Sequence, residues 1–455
     1  MNGAVAAARA YATAPIARVQ SHIPWGFPEL FVISQTALPA LLYLPGTQGV
    51  RLPIRVSAFA ISLAAFAWVY LESPVRPPAP RVSPWLIAVL SLLGVMIFHP
   101  TTSSLYGGVA HLVLYFAVIA PLFWAPVFVK SPEHLARLLA IMLVCCGVNS
   151  LVGVLQVYDP ARWMPVEFSR MVTESSMGLG PVSYVGPTGE IIVRPPGLFD
   201  TPGAVAGPAM FAALLGAVFG VSAIAWWKRV GALLLSGAGI AAIYLSQVRV
   251  SLAVLVLMFG TYCGVLVLQR RVARSTGFGT AAAVMVLSSL AVAFALGGAS
   301  VLDRVMTLLV ADPLTVYYHA RGNQLDHTLS ELMYEFPLGA GLGRWGMVGG
   351  YFGNPLLPQL WADIQITGWV IDGGIVLAVL YCGALIVTAR SELRLARLTQ
   401  YPRLATCAGV VFAANIGIAV MIISFTPFVT QIGIQYWFLA GALNGVAWRS
   451  GIHDA

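Results

Sequence analysis

Charge is the scarcest property of this 455-residue chain: Asp, Glu, Lys and Arg together make up only 9% of it. Soluble domains carry about a quarter charged residues, so the chain cannot cover a water-facing surface of its size. That excludes a soluble globular enzyme. It also excludes a disordered chain, which needs low hydrophobicity and high charge. Cysteine is scarce too. Cys145, Cys146, Cys263, Cys382 and Cys407 all fall within apolar runs, with no CxxC pair and no Cys/His cluster. Neither a disulfide framework nor a zinc site is supported. No P-loop pattern and no internal repeat occurs. The first 28 residues, with Arg9 and Arg18, lack a signal-peptide core and read as a cytoplasmic lead-in.

What the chain has in abundance is apolar sequence, 59% of all residues. A helix needs ~20 apolar residues to cross the ~30 Å hydrocarbon layer, and backbone in lipid must pair internally. Long continuous runs exclude an outer-membrane barrel, whose strands alternate with period two. The pattern predicts an all-α polytopic membrane protein of about twelve spans. They cover roughly 29–45, 53–71, 84–98, 108–128, 135–157, 203–226, 230–246, 250–268, 278–296, 365–388, 405–424 and 427–448.

The net charge of +8 raises a nucleic-acid reading, but the basic residues are scattered singly between apolar runs. A topology bias explains them better. Sixteen of the 25 Lys and Arg fall on one side of this arrangement. On the other side only Arg51, Arg55 and Arg249 lie in short connections. Both termini are therefore expected in the cytoplasm. The organisation expected is a bundle over 1–157, an outer loop 158–202, spans over 203–296, a second outer loop 297–364, and C-terminal spans over 365–455. No inner connection is large enough for a soluble catalytic domain, so any chemistry is expected at the outer face, on a substrate carrying its own activated bond. The Pro-rich stretch 74–84 reads as a stiff inner linker.

The outer loops carry Arg162, Arg170, Arg194, Arg304, Arg321 and Arg344. Arginine suits bidentate contact with phosphate oxygens, so these residues suggest capture of an anion; pairing with the loops' own acids is the alternative. Arg249 lies in the turn YLSQVRVSLAV with no acid nearby in sequence, and an ionisable group at a membrane edge is a functional candidate. His99, His111, His319 and His327 could each serve as a base. Asp363, at the expected cavity mouth, could accept a hydroxyl proton. Asp372, in WVIDGGIV, reads as an acceptor or as a helix-start residue bonding local backbone.

Several of these segments resemble one family. RPPGLFDTPGAVAG, Arg194 to Gly207, is similar to the R-x-x-G-x-F-x-x-P-N-x-x-A segment of the O-antigen ligase and polysaccharide polymerase superfamily. SQVRVS, Ser246 to Ser251, resembles its S-x-S-R-G/S element. Arg321, the RGNQLDHTLSEL run and PLGAGLGR from Pro337 to Arg344 resemble its arginine, amphipathic helix and P-L-x-G-x-G-x-G pattern. Asp372-Gly373-Gly374 stands where the family has E-x-G-x-x-G. Two positions depart from the pattern. Gly203 replaces the usual Asn, and Trp361-Ala362-Asp363 replaces the ligases' histidine.

The resemblance implies a GT-C-like helix bundle in a bacterial inner membrane, with two long periplasmic loops. It implies a metal-independent, inverting glycosyltransferase without a cofactor, acting on undecaprenyl-diphosphate-linked glycans. Arg194, Arg249, Arg321 and Arg344 would hold the diphosphate. Asp363 and Arg249 would be catalytic. His319, His327, Glu331 and Asp372 would be acceptor-side or base candidates. The missing histidine favours a polymerase of repeat units, with a chain-length co-polymerase as a partner, over a ligase to lipid or protein. A lipid-linked sugar transporter and an inactive assembly scaffold are the other classes.

Overall fold

The computed structural model describes residues 25–72, 77–168, 182–185, 191–222, 224–309, 315, 317–354 and 356–452. These are helical nearly throughout. In chain order the helices used below are α1 Phe27–Ala40, α2 Arg51–Glu72, α3 Ser83–Met96, α4 Leu105–Ile119, α5 Pro121–Phe128 and α6 Pro132–Tyr158, then α7 Ala206–Gly220, α8 Trp226–Ser246, α9 Arg249–Leu268 and α10 Val272–Gly297. The chain continues through α11 Ala299–Leu309, α12 Leu329–Glu335, α13 Gly346–Phe352, α14 Gln365–Ala396, α15 Pro402–Val420 and α16 Gln431–Arg449. Strands β1 Ser183–Val185 and β2 Ile191–Val193 form an antiparallel hairpin, Tyr184 opposite Ile192.

Each of the twelve apolar segments holds a helix. Among the described residues, eight helices are long and apolar enough to cross a membrane by length and composition. The segments at 29–45, 84–98, 203–226 and 427–448 carry helices of 14, 14, 15 and 19 residues. The chain is thus an all-α protein with the apolar helices of a membrane-embedded one. Helix starts follow the expected chemistry. Ser104 accepts from Gly107 N at 2.9 Å ahead of α4, and Ser131 accepts from His134 N at 3.1 Å ahead of α6.

Two compact units result, and neither is one consecutive stretch. The first comprises residues 1–55, 129–302 and 393–414; the second comprises 56–128, 303–392 and 415–455. In the first unit α7 is apolar all round and buried on nearly every face. It packs on α8 through small residues: a Cβ at Gly239 would stand 2.7 Å from Ala209 O. Close backbone approach of this kind replaces the hydrophobic drive that lipid removes. Ser236 Oγ donates to Ala213 O at 2.7 Å across the same contact. The buried Glu29 of α1 pairs with Arg137 and with His134 Nε2 (2.9 Å) of α6.

In the second unit, Trp369, Tyr381, Phe428, Tyr436 and Trp437 form an aromatic core. Trp437 Nε1 donates to Tyr381 OH at 3.1 Å. Helix α14 is not continuous. Gly373 (φ −159°, ψ 25°) and Gly374 (φ 67°, ψ −169°) break it directly after Asp372. Only glycine takes the Gly374 conformation without cost. The break frees the Ile371 carbonyl, which accepts from Ala340 N at 2.6 Å. A loop therefore supplies the donor that the helix loses.

Candidate functional site

In the first unit the RPPGLFDTPG segment is held from three directions. Gln156 of α6 donates to Gly197 O at 2.8 Å and accepts from Gly197 N at 2.9 Å. Asn149, two turns earlier on α6, accepts from Leu198 N at 2.5 Å. Gly197 has φ +67°, and a Cβ there would stand 2.6 Å from Asn149 Oδ1. The third hold is ionic. Buried Asp200 meets Arg51 Nη1 at 2.9 Å and Arg55 Nη2 at 2.5 Å. These two arginines lie one turn apart on α2, so a single face delivers both. Sequence reasoning set them aside as ordinary connection residues; their i, i+4 spacing beside a lone buried acid was the available signal.

This anchoring places Arg194 beside the SQVRVS turn. Gly203 (φ +70°) sits between the two. A Cβ added to it would stand 3.1 Å from Arg194 Nη2 and 3.1 Å from Val248 Cγ2. Arg249 follows as the first residue of α9, after Gln247 in the left-handed region (φ 56°). Gly203 thus brings the Arg194 side chain close to Val248, the residue before Arg249 and 54 positions away in the chain. Arg194 and Arg249 are both partly buried. At Gly203, the family's Asn would have to fit against the Arg194 guanidinium. A guanidinium at a helix start, as that of Arg249, is suited to an anion such as a phosphate ester.

In the second unit the glycine loop from Pro337 to Trp345 packs against protein backbone. Gly339 (φ +100°), Gly341 (φ +78°) and Gly343 (φ +73°) all have left-handed backbones. Added Cβ atoms would stand 2.8 Å from Gly374 N, 2.5 Å from Thr102 Oγ1 and 3.0 Å from Gly107 C respectively. Polar contacts follow the same path. Thr101 Oγ1 donates to Ala340 O at 2.8 Å, Ser103 N donates to Leu342 O at 3.0 Å, and Gly343 N donates to His111 Nδ1 at 3.1 Å. The loop's glycines serve contact with the α3–α4 connection, α4 and the break in α14.

Asp372 stands at the centre of this packing. It is fully buried, and it accepts from Tyr115 OH at 2.8 Å and from Trp345 Nε1 at 2.9 Å. Because His111 Nδ1 accepts from Gly343, its proton sits on Nε2, 3.5 Å from Asp372 Oδ2. The reading of Asp372 as a helix-start residue bonding local backbone is corrected: its partners lie on α4 and the glycine loop. His111 is likewise a buried packing residue, not an outward base.

Arg344 is placed differently from a diphosphate ligand. It is buried, and its Nη1 and Nη2 donate to Thr101 O (2.9 Å) and Pro358 O (3.2 Å). Arg321 and Asp363 form an ion pair, and Gln324 Nε2 donates to Asp363 Oδ2 at 3.1 Å. The pair is only partly shielded, with side chains 37% and 28% exposed. Asp363 is therefore a committed partner of Arg321 and not a carboxylate standing alone. Burial lowers the pKa of both guanidinium groups, which stay cationic at neutral pH. His327 and Glu331 are exposed, and Ser330 Oγ donates to His327 O at 2.9 Å. The side chains of His319 and Arg304, and the whole of Arg170, lie outside the described residues. Among the described residues no three His, Cys, Asp or Glu stand together as a metal would need. No protein-family model matches the chain, and neither does any curated protein.

Proposed function

We propose that this protein is a membrane glycosyltransferase that polymerises undecaprenyl-diphosphate-linked oligosaccharide repeat units. The observation supporting the reading is that Gly203 lies against both the Arg194 guanidinium and Val248, the residue before Arg249, which brings two family-like segments distant in sequence together. In this reading the two arginines grip the diphosphate leaving group and offset the charge that develops on it. The resemblance assigns Arg321 to the donor as well. The acceptor hydroxyl attacks the anomeric carbon from the opposite face; the C1–O bond to diphosphate breaks with inversion. Twelve spans, cytoplasmic termini, a bacterial inner membrane location and periplasmic loops belong to the same reading, as does a chain-length co-polymerase.

The test is reconstitution. Purified protein in detergent is mixed with its undecaprenyl-diphosphate repeat unit in the presence of EDTA. A ladder of longer lipid-linked products, lost in Arg249→Ala and Arg194→Ala, supports the proposal. A folded preparation that binds the donor but makes no ladder sinks it, and transfer to a lipid or protein acceptor would then point to a ligase.

A further inference from the structure

The second unit holds a small cleft, with room for about one water-sized occupant, that the proposed reaction does not use. It opens beside the α2–α3 connection, between α14 and α16, and is lined by Arg81, Thr388, Ser391, Glu392 and Asn444 among others. Thr388, Ser391 and Glu392 are spaced i, i+3, i+4 and so share one face of α14. Asn444 and Ala440 repeat that spacing on α16.

Glu392 is the unusual member. It is only 3% exposed. Asn415 Nδ2 donates to its Oε1 at 2.6 Å, while Oε2 is buried and takes no hydrogen bond among the described residues. Arg390 and Arg394 are exposed, two residues away on either side, and so face away from it. Arg81 stands exposed at the rim. A carboxylate withdrawn from water is costly unless an opposite charge meets it or a proton neutralises it.

The lining chemistry decides what could meet it. Thr388 Oγ1 donates to Ala384 O at 2.9 Å and is also hydrogen-bonded to the Tyr436 hydroxyl, which leaves one lone pair for a cation. With Ser391, Asn444 and Glu392 it makes a set of hard oxygen donors, the kind that suits small, weakly polarisable ions. One carboxylate balances one positive charge, whereas divalent sites collect several carboxylates. We propose that this cleft binds one small monovalent cation (sodium, potassium or ammonium) against Glu392. The proposal is independent of the glycosyltransferase reading.

Thermal unfolding of the purified full-length protein tests it. Sodium, potassium and ammonium chloride are compared with N-methylglucamine chloride at equal ionic strength, so that only ion size changes. At least one small cation should raise Tm by several degrees with saturating dose dependence, and Glu392→Gln should abolish the rise. Thr388→Val and Ser391→Ala should weaken the apparent affinity several-fold. Equal Tm in all four salts overturns the proposal and leaves Glu392 a neutral, protonated side chain. An undiminished rise in Glu392→Gln overturns it as well. Should Glu392→Gln fail to fold, unchanged affinity in both hydroxyl variants overturns the proposal in its place.

Discussion

Replacing Asp363 with Asn separates two roles that its position allows. As a general base it would take the acceptor's proton, and its loss would lower kcat by roughly 10²–10⁴. As the counter-ion of Arg321 it would compete with the donor's diphosphate, and its loss would strengthen donor capture. The structure favours the second role, because Arg321 already holds this carboxylate. The magnitude follows from exposure. With side chains 37% and 28% exposed, the pair falls near the upper end of the range for surface pairs, about 1 kcal/mol. Freeing Arg321 is then worth roughly a fivefold gain in donor affinity. Asn retains an oxygen for the Gln324 amide, so the local fold should persist. Initial rates across donor concentrations, with donor binding measured in parallel, provide the assay. A KM lowered by about that factor with kcat little changed is expected. A kcat that collapses at constant KM would refute the counter-ion reasoning and restore Asp363 as base.

Three further outcomes follow from the same contacts. Arg344→Met should lower thermal stability while leaving donor KM unchanged, since its guanidinium serves two carbonyls; a tenfold rise in KM would contradict that assignment. Asp372→Ala should cost roughly 3 kcal/mol or more, because two buried donors, Tyr115 OH and Trp345 Nε1, lose their acceptor. Unfolding within about 0.5 kcal/mol of the parent protein would show that the network contributes nothing to stability. Gly341→Ala places a Cβ 2.5 Å from Thr102 Oγ1 at φ +78° and should cost roughly 2–4 kcal/mol. Gly346→Ala, at φ +65° with nothing within 4 Å, should cost only about 1 kcal/mol, and equal losses in the two variants would disprove the packing argument.

Helix placement was legible in the sequence because it depends on local quantities. Each apolar run must satisfy its own backbone, so the twelve segments could be marked without knowing their neighbours. The segment patterns also singled out Arg194 and Arg249, and the structure brings their two segments together at Gly203. Other site residues were misjudged where the deciding partner is remote. Asp372 looked like a helix start because its sequence neighbours are glycines; Tyr115 and Trp345, 257 and 27 positions away, decide its role. Arg344 looked like a phosphate ligand until Thr101 and Pro358 presented their carbonyls. PLGAGLG was legible only as a family-like pattern; the structure shows its left-handed glycines letting the loop lie against α4 and the broken α14.

By itself, then, the sequence determined a membrane-embedded helical chain, the positions of its helices, and which loops gather arginine. Those properties follow from hydrophobicity and hydrogen bonding within one segment at a time. Only the tertiary structure decided which charges are spent inside the protein, such as Asp200 on Arg51 and Arg55, or Asp363 on Arg321. It alone decided which distant segments come together, as those of Arg194 and Val248 do at Gly203, and that one buried carboxylate oxygen, Oε2 of Glu392, takes no hydrogen bond among the described residues. The physical reason is that a charged group's role is set by whatever comes within a few ångströms of it, and in this chain those neighbours are tens to hundreds of residues away.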